Sequence, residues 1–248
     1  MNQMVPIMDV PIHNVTMEEA TDTVIDFLSS NKSHTVFTPN PEIIMEAQKD
    51  KELMECLKTA NLVVPDGIGV VIASRLLGGQ RLPERVGGFD LMQNVLDRIK
   101  DTKIRVYFLG SKPGVARQAA KNMEKKHPGL QIVGTRDGYF KPDEERELID
   151  EIKRLKVDLL LVGLGAPRQE KWISDHIEEL GVKVAAGVGG SLDVMAGVVK
   201  RAPEIYQKLN LEWFYRLITN PKRAKRMLNL PIFGCKIIFL SLRTKYQK

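Results

Sequence analysis

Cysteine and histidine are both scarce in this chain of 248 residues. The two cysteines, Cys56 and Cys235, lie far apart and form no C-x-x-C pair, which argues against a disulfide framework and favours reduced thiols in a reducing compartment. None of the four histidines has another histidine or a cysteine at the spacing that metal ligands require. The sequence therefore predicts no metal site.

A signal peptide and a long hydrophobic run are also absent. The first residues, MNQMVPIMDVPI, contain neither a basic segment nor a long apolar core. The longest apolar run near the end, residues 228–242, is interrupted by Asn229, Pro231, Gly234 and Lys236. It falls short of the roughly 20 apolar residues that a spanning helix needs. We therefore expect a cytoplasmic protein that contacts a membrane from its surface.

The net charge of +6 is unevenly distributed along the chain. Residues 200–248 contain 12 lysines and arginines and only two acids, Glu204 and Glu212, whereas residues 1–199 contain 25 basic and 29 acidic residues. A basic block of this kind indicates an anionic partner, which could be a membrane surface, a nucleic acid or a pyrophosphate group.

Strand-like and helix-like segments alternate along most of the chain. A capping box at Thr16-Met-Glu-Glu19 predicts a helix over residues 16–30, and Asn40 before Pro41 predicts a second helix start. The alternation implies a parallel sheet with right-handed crossovers, and the apolar strands suit a sheet covered by helices on both faces. The predicted strands are residues 34–38, 62–64, 104–109, 131–135, 157–162 and 182–186, with an edge hairpin within residues 5–15.

The composition changes after Arg201-Ala-Pro203. Aromatic and basic residues then follow at roughly helical spacing, from Trp213 and Phe214 to Arg226. We therefore predict an α/β catalytic core at residues 1–199 and a basic, amphipathic helical appendage at residues 200–248, which is expected to dock on a membrane.

Asp66 is the most informative acidic residue. Ligands of such sheets bind beyond the carboxyl ends of the strands, and Asp66 follows the predicted strand 62–64 directly. A carboxylate beside apolar strand ends can act as a general base towards a sugar hydroxyl. It can equally be a turn aspartate that caps the next helix, and its spacing alone favours that second role.

Three glycine-containing loops follow later strands. Residues 110–114 form a turn into a helix, where backbone N–H groups can hold a phosphate. In residues 163–169, glycines allow close approach to the backbone, and Arg168 and Gln169 can reach phosphate or sugar oxygens. After the last strand, Asp193 could accept a hydrogen bond from a ribose or a base. Ordinary turns, a solvated arginine and an acid at a helix N-terminus explain the same residues without a ligand.

The motifs, taken in order, resemble the WecG/TagA/CpsF family of bacterial glycosyltransferases over nearly the whole chain. Each motif is modest alone, but their ordered combination is specific. The motifs are Thr38-Pro-Asn-Pro-Glu42, Pro65-Asp-Gly67, Arg85-Val-Gly-Gly-Phe-Asp90, Phe108-Leu-Gly-Ser111, Asp137-Gly-Tyr-Phe140, Gly163-Leu-Gly-Ala-Pro-Arg-Gln-Glu170, Gly187-Val-Gly-Gly190, Arg201-Ala-Pro203 and Leu211-Glu-Trp213.

The resemblance implies a Rossmann-like, inverting transferase that needs neither a metal ion nor a cofactor. Members of the family move a sugar from a UDP donor to an acceptor linked to undecaprenyl diphosphate. The TagA-type branch adds N-acetylmannosamine to N-acetylglucosamine in the synthesis of the wall teichoic acid linkage unit. In the family the aspartate of the P-D-G motif is the proposed base, which here is Asp66. The basic C-terminal segment of the family is thought to dock on the membrane and complete the site.

The resemblance and the loop chemistry together define a set of expected site residues. A UDP leaving group needs positive charge or helix N-termini around it, which makes Arg85 and the tail arginines candidates. The expected catalytic residues are Asp66, Thr38, Arg85 and Gln169. The expected substrate-binding residues are Asn40, Gly110, Ser111, Tyr139, Gly165, Arg168, Gly189, Asp193, Arg216, Arg223 and Arg226.

Several alternatives remain open at this point. The donor could be another UDP-sugar, such as UDP-N-acetylmannosaminuronic acid, because other branches share these motifs. A nucleotide-dependent oxidoreductase would share the sheet, but the sequence lacks the glycine fingerprint that such enzymes carry after the first strand. A nucleic-acid-binding module is disfavoured because the basic tail has no nucleic-acid motif and contains apolar residues better suited to lipid. The oligomeric state, including a homo-oligomer, is left open.

Overall fold

The computed structural model describes residues 3–219 and 228–246. The chain begins with an antiparallel hairpin of β1 (Met4–Ile7) and β2 (Val10–His13). These strands pair only with each other, so the prediction of a hairpin at the edge of the main sheet is wrong. Pro6 lies opposite Pro11, and proline has no backbone N–H to extend a ladder of hydrogen bonds.

Six parallel strands form the main sheet, which confirms the predicted α/β class. Their order across the sheet is not their order in the chain, because the last two strands lie in the middle. The strands are β3 (His34–Phe37), β4 (Leu62–Val63), β5 (Arg105–Gly110), β6 (Gln131–Arg136), β7 (Leu159–Gly163) and β8 (Val184–Gly187), in the order β4-β3-β8-β7-β5-β6.

Helices cover both faces of the sheet, because successive strand side chains point to opposite faces. Tyr107 and Leu160 belong to one buried core, and Phe108 and Leu161 belong to the other. On the first face lie α2 (Pro41–Ala47), α3 (Lys51–Thr59), α4 (Ile68–Leu76), α7 (Pro142–Arg154) and α8 (Arg168–Leu180); on the second lie α1 (Met17–Ser29), α5 (Gly88–Ile99), α6 (Val115–Lys126) and α9 (Ser191–Met195).

The two predicted helix starts are confirmed. Thr16 and Glu19 form a reciprocal capping box at α1, and Asn40 accepts a hydrogen bond from Ile43 N–H at the start of α2. The helix α3, which follows α2 after a three-residue break, was not predicted from the sequence. The five-residue α9 is too short to show a helical period, and the sequence indicated it only through the alternative that Asp193 is an acid at a helix N-terminus.

The C-terminal part is helical, as predicted. It contains α10 (Glu204–Lys208), α11 (Glu212–Thr219) and α12 (Asn229–Tyr246). Helix α12 packs against α2 and α4 and buries Phe233 and Ile237 in the first core. Within the two described ranges, no helix combines the length and the apolar character needed to span a bilayer.

The capping box at α1 is open to a direct test. Thr16→Ala removes the acceptor for Glu19 N–H (3.2 Å), so the free energy of unfolding should fall by about 1 kcal/mol in urea denaturation. Thr23→Ala is the matched control, because Thr23 lies within the same helix and alanine has the higher helix propensity there. An equal loss of unfolding free energy in both variants would contradict a stabilising role for the Thr16 cap.

Candidate active site

A cavity of about 410 Å³, here called the polar cavity, opens at the carboxyl ends of β3, β4, β7 and β8. These four strands are neighbours in the sheet, so the loops that follow them converge. The loop between α4 and α5 and the start of the C-terminal segment complete the wall. Of the residues expected from the sequence, the lining contains Thr38, Asn40, Asp66, Arg85, Gly165, Gln169 and Gly189.

Backbone hydrogen bonds hold three of these loops together. The N–H of Asp66 donates to the carbonyl of Pro39 at 3.3 Å, and the N–H of Val86 donates to the carbonyl of Pro65 at 2.9 Å. The half-buried Asp66 is therefore fixed between the Thr38 loop and the Arg85 loop. The N-cap position of α4 is occupied by Gly67, at φ +94°, and not by Asp66.

Gly88 explains the paired glycines of the Arg85-Val-Gly-Gly motif. A Cβ atom at Gly88 would lie 2.7 Å from the Thr38 hydroxyl oxygen, closer than side chains approach one another. The missing side chain thus allows the start of α5 to pack directly on Thr38, at the wall of the polar cavity.

The amide of Gln169 has a defined orientation. Its Oε1 accepts the Gly189 N–H at 3.0 Å, and its Nε2 donates to Oε1 of Glu170 at 2.8 Å. Glu170 is itself buried, and its Oε2 has no hydrogen-bond partner among the described residues. Burial raises the pKa of Glu170, against the opposing effect of the Gln169 hydrogen bond. One N–H of Gln169 thus remains for a ligand in the cavity.

Four charged side chains form a closed network at one wall of the polar cavity. Arg85 contacts Glu212 at 2.6 Å and Asp90 at 3.3 Å. Arg201 contacts Asp90 at 2.7 Å and Glu212 at 3.5 Å, and it stacks on the ring of Phe89. Burial lowers the pKa of Arg85, but the Glu212 hydrogen bond and the charges of Asp66, Glu212 and Asp90 raise it overall. The network joins the C-terminal segment to the core.

Other expected residues lie outside the lining of the polar cavity. Ser111 donates a hydrogen bond to Asp193 at 2.6 Å, which ties the loop after β5 to the first turn of α9. Arg168 donates to the Gly138 carbonyl at 3.0 Å and lies over the Phe140 ring. The residues outside the lining are Gly110, Ser111, Tyr139, Arg168 and Asp193.

The three expected tail arginines are not located as side chains. Arg216 lies in α11, and only its backbone is described, whereas Arg223 and Arg226 fall outside the described residues. Among the described lining residues, carboxylates outnumber guanidinium groups. The acids are Glu42, Glu46, Asp66, Asp90 and Glu212, and the bases are Arg85 and Arg201.

Four residues of this site received no role from the sequence. Asp90, Arg201 and Glu212 belong to recognised motifs, but only the fold shows that they meet at one wall of the polar cavity. The sequence offered one indication for Glu212, which is one of only two acidic residues in the strongly basic segment 200–248. Glu170 ends another recognised motif, but nothing in the sequence indicates that its side chain is buried. No group of three or more His, Cys, Asp or Glu side chains in residues 3–219 and 228–246 is arranged to hold a metal ion.

In open parallel α/β sheets, ligands such as nucleotides bind at the carboxyl ends of the strands, where this polar cavity lies. The chain belongs to the WecG/TagA/CpsF family of glycosyl transferases, whose family model matches residues 5–247.

Curated relatives match across most of the chain. Each bears the name N-acetylglucosaminyldiphosphoundecaprenol N-acetyl-beta-D-mannosaminyltransferase. A Bacillus spizizenii protein is 40% identical over 86% of this chain and 81% of its own length. A Bacillus subtilis protein is 38% identical over 92% of this chain and 90% of its own length. A Staphylococcus aureus protein is 35% identical over 98% of this chain and 96% of its own length.

The buried Glu170 predicts a pH-dependent stability difference. With a raised pKa, Glu170 binds protons more readily in the folded than in the unfolded protein, so its ionisation reduces stability as pH rises from about 4.5, the ordinary glutamate value. Glu170→Gln removes this titration. Its free energy of unfolding should therefore rise relative to the original protein as pH increases above 4.5, by about 1.4 kcal/mol for each tenfold difference in proton affinity between the folded and unfolded states.

Urea denaturation at several pH values measures this difference. Glu147→Gln is the matched control, because it removes the same charge from the exposed side of α7. A difference between the Glu170→Gln variant and the original protein that stays constant with pH would contradict the prediction.

Proposed function

We propose that this chain transfers N-acetylmannosamine from UDP-N-acetylmannosamine to the N-acetylglucosamine of GlcNAc-diphospho-undecaprenol, a step in wall teichoic acid linkage-unit synthesis. Relatives named for this transfer are 35–40% identical over most of the chain. The observation that carries the proposal is the position of Asp66 between the Thr38 and Arg85 loops, at the wall of the polar cavity.

Asp66 acts as the general base in this proposal. It accepts the proton of an acceptor hydroxyl while that oxygen attacks the anomeric carbon of the donor sugar. The bond between this carbon and the β-phosphate oxygen breaks, and UDP leaves with the bonding electrons. Attack and departure occur on opposite sides of one carbon, so the configuration inverts and a single carboxylate suffices.

Two amides are suited to orient the substrates. The Oδ1 of Asn40 is engaged by Ile43 N–H, which leaves its NH₂ group to donate to a sugar or phosphate oxygen. The second N–H of Gln169 can donate in the same way, because Gly189 and Glu170 hold the amide in place. Thr38 offers a hydroxyl group beside them.

The leaving diphosphate requires positive charge around it. Arg85 and Arg201 line the polar cavity, but both are paired with Asp90 and Glu212. Carboxylates predominate in the described lining, so a bound diphosphate needs further cations. We assign this role to Arg216, Arg223 and Arg226, which makes turnover dependent on closure of the C-terminal segment over the cavity.

The remaining expected residues are assigned to the nucleotide. They lie at the ends of β5 to β8 or in the loops and first helical turns that follow, which is the same carboxyl edge of the sheet as the polar cavity. The candidates for contact with the uridine or its phosphates are Gly110, Ser111, Tyr139, Gly165, Arg168, Gly189 and Asp193.

Asp66→Asn tests the base directly. The variant keeps the size of the side chain but cannot accept the proton, so kcat for UDP release should fall by roughly 10²–10⁴-fold with little change in KM for the donor. The assay contains UDP-N-acetylmannosamine and a GlcNAc-diphosphate acceptor, with UDP-N-acetylglucosamine and UDP-N-acetylmannosaminuronic acid as competing donors.

The matched control is Asp143→Asn, which replaces an exposed aspartate in the first turn of α7. It should retain the original turnover. Undiminished UDP release by Asp66→Asn would remove Asp66 as the base, and faster turnover with another donor would change the assigned sugar.

We further propose that the protein works at the inner face of the cell membrane. Its acceptor carries a lipid, and α12 exposes the large apolar side chains Ile232, Phe239 and Leu242 together with Lys236. The basic residues Lys222, Arg223, Lys225 and Arg226 precede this helix in the sequence. Apolar burial combined with attraction to anionic lipids is typical of peripheral membrane binding.

Vesicle sedimentation tests the membrane contact. Replacing Lys222, Arg223, Lys225 and Arg226 by alanine should weaken binding to anionic vesicles on the order of a hundredfold or more, since each basic residue contributes about 1 kcal/mol near an anionic surface. The matched control removes four basic residues of and beside α6, namely Lys112, Arg117, Lys121 and Lys125. Equal losses in both variants would indicate a general charge effect and contradict tail docking.

A further inference from the structure

A second cavity, of about 430 Å³, adjoins the polar cavity and is here called the apolar groove. Its walls are α4 with Ile68, Ile72 and Leu76, and α12 with Leu230, Phe233, Gly234, Ile237 and Ile238; Trp213 of α11 also lines it. The two cavities meet along one set of residues, Asn40, Glu42, Asp66, Arg85 and Glu212.

The groove leaves large apolar side chains accessible. Ile72 is 45% exposed, Trp213 is 42% exposed and Ile238 is 53% exposed. Contiguous exposed apolar surface is uncommon on proteins that have no ligand or partner for it. Here the exposed surface begins beside Asp66, where the proposed acceptor hydroxyl must lie.

Gly234 keeps the groove open. A Cβ atom at this position would have no neighbour within 4 Å among the residues that the structure describes, so their packing does not require glycine there. Gly69, on the opposite helix, differs, because its Cβ atom would lie 2.9 Å from Pro41. Glycine within a helix also destabilises it relative to other residues. The glycine of α12 therefore costs stability and leaves empty space in the groove.

We propose that the apolar groove binds the isoprenoid chain of the acceptor, at the units nearest the diphosphate. This rests on the proposed function, and it extends that function to a chain-binding site within the protein. The acceptor joins a polar sugar diphosphate to an apolar chain. The two adjoining cavities match it, because the polar cavity leads directly into the apolar groove. Asp66 lies where they meet, so the bound chain positions the acceptor sugar towards the base.

Beyond the five residues shared with the polar cavity, the lining of the groove is apolar except for Asn210, as in ligand pockets for hydrocarbon chains. A membrane alone would cover the outer surface of α12, but it would leave the space between α4 and α12 unfilled. The alternative is that residues 220–227 of this chain occupy the apolar groove. In that case the enzyme would be indifferent to the length of the acceptor chain.

To test the proposal, Gly234→Leu places a large side chain in the apolar groove. The substitution meets no neighbouring atom at its Cβ and replaces a poor helix former, so the thermal unfolding midpoint should not fall. The measured quantity is kcat/KM for GlcNAc-diphosphate esterified to a farnesyl chain, compared with the same head group esterified to methyl. No vesicles or detergent are present, so membrane docking does not contribute.

The original protein should prefer the farnesyl acceptor by about tenfold or more, since burial of about two methylene groups of the chain already predicts that factor. Gly234→Leu should remove that preference while leaving kcat/KM for the methyl acceptor and KM for the donor unchanged. Cys235→Leu is the matched control, because it adds the same side chain one residue along α12 and outside the groove lining. It should keep the preference.

A preference that Gly234→Leu leaves intact would overturn the proposal, and so would equal use of both acceptors by the original protein. Binding of farnesyl diphosphate, measured as Kd for the same three proteins, distinguishes this failure from failure of the proposed function. Binding that only Gly234→Leu weakens supports the groove even if no sugar is transferred, whereas equal binding by all three proteins contradicts it.

Discussion

The pairing of β3 with β8 is the interaction on which the site depends. The register joins Thr35 to Ala185 and Val36 to Ala186, and it is the only strand pairing in the described sheet that connects residues 34–63 with residues 105–187. Through this pairing, the loops that contain Thr38 and Asp66 meet the loops that contain Gln169 and Gly189. Without this pairing, Asp66 and Gln169 would belong to two separate parts of the sheet.

The charge distribution of the polar cavity suits a site that opens and closes. Arg85 and Arg201 both pair with Asp90 and Glu212, so neither of these two guanidinium groups is an isolated charge. An incoming diphosphate would compete with these carboxylates for the same guanidinium groups. In the proposed mechanism, additional cations from the C-terminal segment would shift that competition towards the ligand, which would couple binding of the diphosphate to closure.

Asp66 lies at the boundary between a polar and an apolar space. This location matches a reaction in which one substrate is a charged nucleotide sugar and the other is an amphipathic lipid. The polar cavity offers amides and hydroxyls, and the apolar groove offers hydrocarbon surface from α4 and α12. Helix α12 therefore contributes to the core through Phe233 and Ile237, and to the proposed lipid site through the space beside Gly234.

The sequence by itself determined the class of fold, the helix starts at Thr16 and Asn40, and the loops that carry the motifs. These features depend on local capping chemistry and on the alternation of short apolar strands with helices, which neighbouring residues encode. The motif order also identified the family. Asp66 could not be separated from a turn aspartate on spacing alone, because a turn and a strand-end base use the same residue type.

Only the tertiary structure decided which loops share a cavity. The strand order places β8 beside β3 and β7 next to β8, so Gln169 reaches the cavity, while Tyr139, after the edge strand β6, does not. Strand order depends on packing between segments far apart in the chain, and no local pattern records it. For the same reason, the sequence did not predict the pairing of Arg85 with Glu212, 127 residues further along the chain. Nor did it predict the groove between α4 and α12.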